Sequence, residues 1–250
     1  MSQPLISVVI PAYNEEAYLP RLLDTIDAAR DRFGPGRDSV EVIVADNGST
    51  DRTVPIASSR GCTVVRVEKR AIGAVRNGGA RVANGEILAF VDADTQVHPD
   101  TFTEIARCLD DPNIIGGATG IRFERTSLGI KLTFAMLVLA GNLVRLGLRE
   151  RLTVNVDTGV TFCRRRDFEQ VKGYSEERLF AEDAQFLIDL KRLGGNRHLS
   201  RPMKAKAVFS TRKFDKHGDW HYFPLSARMI ISALRPNGMT WARAYWYEDR

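Results

Sequence analysis

An α/β fold built on a largely parallel sheet is the architecture this sequence predicts, on three observations. Short apolar runs rich in Val and Ile recur with helix-periodic segments between them, the rhythm of strand–helix–strand units. The runs end in acids or turn residues: Pro11-Ala12-Tyr13-Asn14 after the first, Asp46 after the second and Asp92 after the fourth. The chain of 250 residues is long enough to bury a full core without disulfides.

Taken in order, Leu5–Ile10 reads as a strand and Glu15 to Arg30 as a helix. Val40–Ala45 is a second strand, Thr50 to Arg60 a short helix and Thr63–Val67 a third strand. Ile72–Ala83 reads as a helix, Ile87–Val91 as a fourth strand and Pro99–Leu109 as a helix. Crossovers between such strands are right-handed. The later chain is less regular. Ile114–Phe123 and Val160–Arg164 read as strands; Ser127–Arg149, Glu182–Leu193 and Asp219–Leu234 read as helices. No repeat, low-complexity tract or long linker interrupts them, so one domain is expected.

Composition narrows the function classes. Cys62, Cys108 and Cys163 are widely spaced, with no C-x-x-C, so neither a disulfide framework nor a zinc site is suggested. The N-terminus lacks a basic region before an apolar one, and a cytoplasmic location is expected. The net charge of +5 permits anionic ligands or an anionic membrane surface. The Lys and Arg are scattered and form no nucleic-acid-binding motif, so no nucleic acid partner is expected.

The chemistry gathers at strand ends, where open α/β sheets bind ligands. Asp92-Ala93-Asp94 is a D-x-D behind an apolar run, and two carboxylates on one short loop suit a hard divalent cation that shares a diphosphate. An acidic turn is the plainer alternative. Asp46 stands where a Rossmann-like sheet meets a ribose, yet no G-x-G-x-x-G follows the first strand. Asn14, and Ser49 or Thr50, could equally be helix caps, with Glu15 and Glu16 favoured in a first helical turn. Glu182-Asp183 opens a helix, as a general base or as ordinary N-terminal acids. His217 and His221 are four apart and would share a helix face, as metal ligands sometimes do.

Together these residues resemble the inverting family-two glycosyltransferases of the GT-A fold. The resemblance is carried by Val-Val-Ile-Pro-Ala-Tyr-Asn-Glu-Glu (8–16), Asp-Asn-Gly-Ser-Thr-Asp (46–51), Arg-Asn-Gly-Gly-Ala (76–80), Asp-Ala-Asp (92–94), Gly-Val-Thr-Phe-Cys-Arg-Arg-Arg-Asp-Phe (159–168), Gly-Tyr-Ser-Glu (173–176) and Ala-Glu-Asp-Ala-Gln-Phe (181–186). It covers residues 5 to 200 and implies a Rossmann-like mixed sheet flanked by helices. It also implies a nucleotide-sugar half over 1–115, an acceptor half over 116–215 and a C-terminal helical segment over 216–250.

The resemblance implies roles too. Pro11, Ala12, Tyr13, Glu15 and Ala93 would line the nucleotide, Asp46 would bond the base or ribose, Arg76 would sit near base or phosphates, and Asp92 would contact the ribose. Asp94 would hold Mg²⁺ or Mn²⁺, and Asp183 would take the acceptor proton. Glu182 would support the sugar or acceptor pocket, while Arg212, with His217 as a further metal ligand, would close over the diphosphate. The donor would be a nucleoside-diphosphate sugar, UDP by default with GDP open, and the acceptor a glycan or lipid-linked hydroxyl.

Two features set this chain apart. Many relatives carry C-terminal membrane helices, whereas the longest apolar stretch here, Leu132–Ala140, is far short of the roughly 20 residues that span a bilayer. The Gln-x-x-Arg-Trp of processive synthases is absent, which favours a single addition. Between 127 and 149, polar residues fall on one narrow stripe and apolar residues, leucines with Ile130, Phe134, Met136 and Val144, fill the rest, so this helix is expected to pack internally, pair in a homodimer or lie on a membrane surface. Two other classes compete: a non-catalytic nucleotide-sugar binder, and a haloacid-dehalogenase-type phosphatase, whose D-x-D belongs on the first strand rather than the fourth.

Overall fold

The computed structural model describes residues 3–136, 158–178 and 182–220. The chain divides into two compact units, Met1–Arg122 with Thr158–Phe209, and Phe123–Asp157 with Ser210–Arg250.

In the first unit, β1 (Ile6–Ala12), α1 (Leu19–Arg32), β2 (Val40–Asp46), α2 (Thr53–Ser59), β3 (Thr63–Arg66), α3 (Ile72–Val82), β4 (Ile87–Phe90), α4 (Thr101–Asp110) and β5 (Ile114–Ala118) follow in that order. The short β6 (Ile121–Phe123) comes next. A later stretch adds β7 (Thr161–Arg164), α6 (Arg165–Gln170), α7 (Glu182–Gly194), β8 (His198–Ser200) and β9 (Ala207–Phe209). The seven-stranded sheet has the order β3-β2-β1-β4-β7-β5-β8, and β6 pairs with β9 in a separate ribbon. Strands β1 to β4 are parallel; β7 runs antiparallel to both β4 and β5, so the sheet is mixed.

Alternation along β1 sends Ile6, Val8 and Ile10 into one core with Leu19, Leu22 and Ile26 of α1 and Phe102 and Ile105 of α4. On the opposite face α3 lies flush on the sheet because its glycines permit it. A Cβ on Gly79 would come within 2.4 Å of Val9 Cγ1, and one on Gly78 within 2.4 Å of Val67 Cγ2. Phe90, Phe168, Tyr174 and Phe186 pack beside it, the Tyr174 and Phe186 rings stacked at 4.3 Å.

Several elements differ from expectation for visible reasons. β1 runs on through Pro11, pairing Ala12 with Asp46. The Val9 carbonyl accepts from Val91 N–H, so Pro11, two residues further, faces the side where the β4 ladder has ended and its missing donor costs nothing. α1 begins at Leu19 rather than Glu15, because residues 14–16 are bonded elsewhere, as described below. The single strand expected over Ile114–Phe123 is two, broken at Thr119-Gly120. There Gly120 O accepts from Ala207 N–H, and Thr119 exchanges backbone hydrogen bonds with Gly159 and Val160.

In the second unit, residues 128–136 form helix α5 and Arg212–His217 form α8. Ile130 and Thr133 are buried, while Leu128 and Leu132 face outward. Arg125 pairs with Asp215 at 2.8 Å and with Asp219 at 2.7 Å. Gly218, at φ +85°, ends α8 at His217. Most of the helices expected over Ser127–Arg149 and Asp219–Leu234 lies outside the described residues, as does His221. Among the described residues, no helix is long and apolar enough to cross a membrane.

Candidate active site

Two polar assemblies stand at the carboxyl edge of the sheet. The first joins the loop after β1 to the loop after β2. Asn14, at φ +52°, accepts from Thr50 N–H at 2.8 Å while its own N–H donates to Ser49 Oγ. Glu15 N–H donates to Thr53 Oγ1 at 2.8 Å, Glu16 N–H donates to Asp51 Oδ2, and the Glu16 carboxylate accepts from Arg52 N–H and Nε–H across the same seam. These residues therefore lace two loops together instead of capping helices. Burial works against the Asp51 carboxylate, yet bonds from Thr53 and from Glu16 N–H hold it below the ordinary carboxylate range.

Asp46 sits in the middle of this seam and is buried. Its Oδ1 accepts from Ser49 N–H at 3.0 Å and its Oδ2 from Gly48 N–H at 3.1 Å. Gly48 holds φ +82°, which turns its amide back onto the acid. Asn47 donates to the Val67 and Lys69 carbonyls, tying in the chain after β3. Tyr13 lies beside this seam with the Arg70 guanidinium 4.3 Å over its ring. Pro11, Ala12 and Glu15 are buried in the same wall.

The second assembly is built around Arg76 of α3, which is 3% exposed. Its Nη2 donates to Asp92 Oδ1 at 2.8 Å, just past β4. Its Nη1 lies 2.8 Å from Glu182 Oε1 and 2.9 Å from Asp183 Oδ1, both in the first turn of α7. One cation thus faces three carboxylates drawn from two elements. The Tyr174 ring lies 5.1 Å from the guanidinium carbon. Both Arg76 Nε and the Tyr174 hydroxyl are buried without a hydrogen-bond partner.

Burial pushes the Asp183 carboxyl up to about 7; Arg76 opposes that rise, and the neighbouring Glu182 and Asp92 add to it. Its side chain still keeps 26% of its surface open, so the group is reachable. Burial likewise raises the Tyr174 phenol, and Asp183 reinforces it. Arg76 is held charged by Asp183, Asp92 and Glu182 despite its burial.

Asn77, next to Arg76, supports this second assembly. It donates to Tyr174 O at 3.0 Å and accepts from Tyr174 N–H at 2.9 Å, fixing the 173–176 loop. Glu176 then takes bonds from Asn77, Lys69 and Arg81 that hold its carboxyl below its usual range. Sequence reasoning picked out Arg-Asn-Gly-Gly-Ala and Gly-Tyr-Ser-Glu without seeing that they meet. A polar Asn in a buried helical run was the available signal.

The structure thus brings Arg76, Asp92, Glu182 and Asp183 together, sets Pro11–Glu15 against Asp46–Thr53, and places buried Ala93 and half-buried Asp94 directly after Asp92. Arg212 and His217 are the first and last residues of α8 and belong to the other unit.

Residues 7–171 match the family description Glycosyl transferase family 2. Among curated proteins, the chain is 30% identical over 116 residues to the putative glycosyltransferase EpsH of Bacillus subtilis (strain 168), covering 44% of this chain and 32% of that protein. It is 40% identical over 102 residues to validoxylamine A glucosyltransferase of Streptomyces hygroscopicus subsp. limoneus, covering 38% of this chain and 22% of that one. The chain therefore spans a third or less of the length of these two relatives. Among solved structures, glucosyl-3-phosphoglycerate synthase from Mycobacterium tuberculosis, in complex with Mn²⁺ and UDP-glucose, superposes with a TM-score of 0.66 at 22% identity, over 93% of this chain and 78% of that one. S. aureus TarS 1-349 in complex with UDP-GlcNAc gives 0.62 at 24% identity, over 82% and 58%. Both are likenesses of fold.

Proposed function

The chain belongs to glycosyl transferase family 2, and from that premise we propose that it moves one sugar from a nucleoside-diphosphate sugar to an acceptor hydroxyl with inversion at the anomeric carbon. The observation that carries this reading is the tie from Asp92 through Arg76 to Asp183. It sets a partly open carboxylate whose proton affinity is raised to about 7 beside the D-x-D loop at the sheet's carboxyl edge. A general base works best with a pKa near the working pH.

In this reading Pro11, Ala12, Tyr13, Glu15, Asp46 and Ala93 form the nucleotide wall, with Asp92 toward the ribose. The laced loops fix that wall before the donor arrives, so little ordering remains to be done on binding. Asp183 takes the proton from the acceptor hydroxyl as that oxygen attacks, and one base with in-line attack inverts the centre. Glu182, turned to Arg76, supports the pocket.

A divalent ion is part of the proposal. Asp92 and Asp94 offer hard oxygen donors on one loop. Among the described residues no group of three His, Cys, Asp or Glu side chains is placed to hold a metal ion by itself. That donor set fits an ion sharing its coordination with phosphate oxygens, as Mg²⁺ does, and Asp94 would hold it. When bound, such an ion stabilises negative charge on the departing nucleoside diphosphate.

UDP is the proposed nucleotide, in line with the UDP-sugars in the two solved structures, and the acceptor is proposed to be a glycan or lipid-linked hydroxyl, reached from the cytoplasmic side. The test is a thermal-shift panel of UDP-, GDP-, dTDP- and CDP-sugars with Mg²⁺ or Mn²⁺, followed by assay of nucleoside diphosphate release. A donor that binds the native state raises the transition temperature. Release of inorganic phosphate instead of nucleoside diphosphate would refute transfer.

A further inference from the structure

We propose that Arg76 is a positioning residue, acting through Asp92 and Asp183 rather than on the sugar donor, and that it keeps the base in fixed register with the D-x-D loop. The proposal rests on the reading of Asp183 as the base.

Four observations carry it. Both terminal nitrogens of Arg76 are committed to Asp92, Glu182 and Asp183 at 2.8–2.9 Å, and at 3% exposure the side chain has no free edge to offer a ligand. The helix that bears it cannot slide. Gly78 and Gly79 lie flush on Val67 and Val9, and a Cβ on Gly73 would meet Ser175 O at 2.3 Å. Asn77 locks the neighbouring 173–176 loop from both its amide atoms. Beneath the guanidinium, the Tyr174 ring at 5.1 Å closes the remaining face.

Stability does not account for the arrangement. A buried cation among carboxylates seldom outperforms a well-packed apolar cluster, and here Nε is left unpaired as well. Geometry does account for it. Asp92 follows β4 and Asp183 opens α7, and a planar fork is the side chain that can bond acids in two directions at once. A lysine is a single point charge and cannot span both. Glu182 Oε1 and Asp183 Oδ1 share the same Nη1, so the first turn of α7 is held to Arg76 by both acids.

The test compares wild type with Arg76→Lys and Arg76→Met, using UDP-glucose with Mn²⁺ as the probe. Calorimetry gives the UDP dissociation constant, and UDP release gives KM and kcat. Arg76→Lys is expected to leave the dissociation constant and KM within about threefold, a small energy on the affinity scale. Its kcat is expected to fall by about 10²-fold, the scale for a reacting group displaced by about 1 Å. A raised KM and dissociation constant with unchanged kcat would make Arg76 a donor-binding residue and overturn the proposal. If wild type neither binds nor cleaves any nucleotide sugar, the functional reading fails on its own. Crystal structures of wild type and Arg76→Met, or of Arg76→Lys if Met does not fold, then decide the positioning claim. An Asp183 carboxylate that keeps its wild-type place without Arg76 refutes it; one that swings away supports it.

Discussion

Asp46 and Asp183 are both acids set into the carboxyl edge of the same sheet, and the fold treats them in opposite ways. Asp46 closes a loop on itself, accepting from the Gly48 and Ser49 amides. Asp183 shares one guanidinium with two other carboxylates, and its proton affinity rises to about 7. The first acid is satisfied by backbone dipoles that cannot leave; the second is under-compensated and ready to take a proton. Local hydrogen bonding ties down the first acid, whereas burial, reinforced by like charge around one cation, raises the proton affinity of the second.

The largest expected effect falls on the second acid. Asp183→Asn removes the lone pair that would accept a proton but keeps size and hydrogen bonding, so donor turnover is expected to drop by about 10²-fold or more while UDP affinity stays near wild type. Glu182→Gln should cost less. If Glu182→Gln is dead and Asp183→Asn active, the base is Glu182, one residue earlier in the same turn.

The same substitution should change stability in a pH-dependent direction. A carboxyl whose folded pKa is raised from 3.8 to about 7 contributes stability that is fully present below pH 3.8 and lost as pH rises through about 7. Asn mimics the protonated acid at every pH. Asp183→Asn is therefore expected to be the more stable protein above pH 7, by about 1–4 kcal/mol, with the advantage vanishing near pH 4. Denaturant melts at pH 4, 6 and 8 would show this, and a constant difference across that range would mean that Asp183 titrates normally.

How much of this was legible in the sequence follows the same division. The strand-end acids and the β–α rhythm were readable because they are local: Val40 to Asp46 announces a strand and its terminus within seven residues. The lacing of Asn14 and Glu16 to residues 50–52 was not readable, since a cap and a cross-loop bond want the same residue types. The Arg76 cluster joins positions 106 apart in the chain, and no spacing rule reports that. The break at Thr119-Gly120 was missed because both flanking segments are strand-like; it is set by partners just before β7 and on β9.

A smaller loss is expected from the first acid. Asp46→Ala leaves the Gly48 and Ser49 amides without their acceptor, at a cost of about 1.5–3 kcal/mol for bonds to a charged group. If the acid also meets the base or ribose, free UDP should weaken along with the full donor. Loss of donor affinity alone would move Asp46 to the sugar side.

The smallest expected effect tests whether the wall is held by backbone geometry. Gly48 sits at φ +82°, a conformation in which an L side chain meets its own backbone, while the space around it is open apart from Arg66 Nη2 at 3.7 Å. Gly48→Ala should therefore cost about 1 kcal/mol through the backbone alone. That corresponds to a fall of about 2–4 °C in Tm for a chain of this size. Gly48→Asn should cost less, because Asn visits this region more readily than Ala. If the two variants melt together, the positive φ is not what aims the amide at Asp46. If Ala also weakens UDP as much as Asp46→Ala does, the orientation of that single peptide, more than the charge of the acid, sets the nucleotide wall.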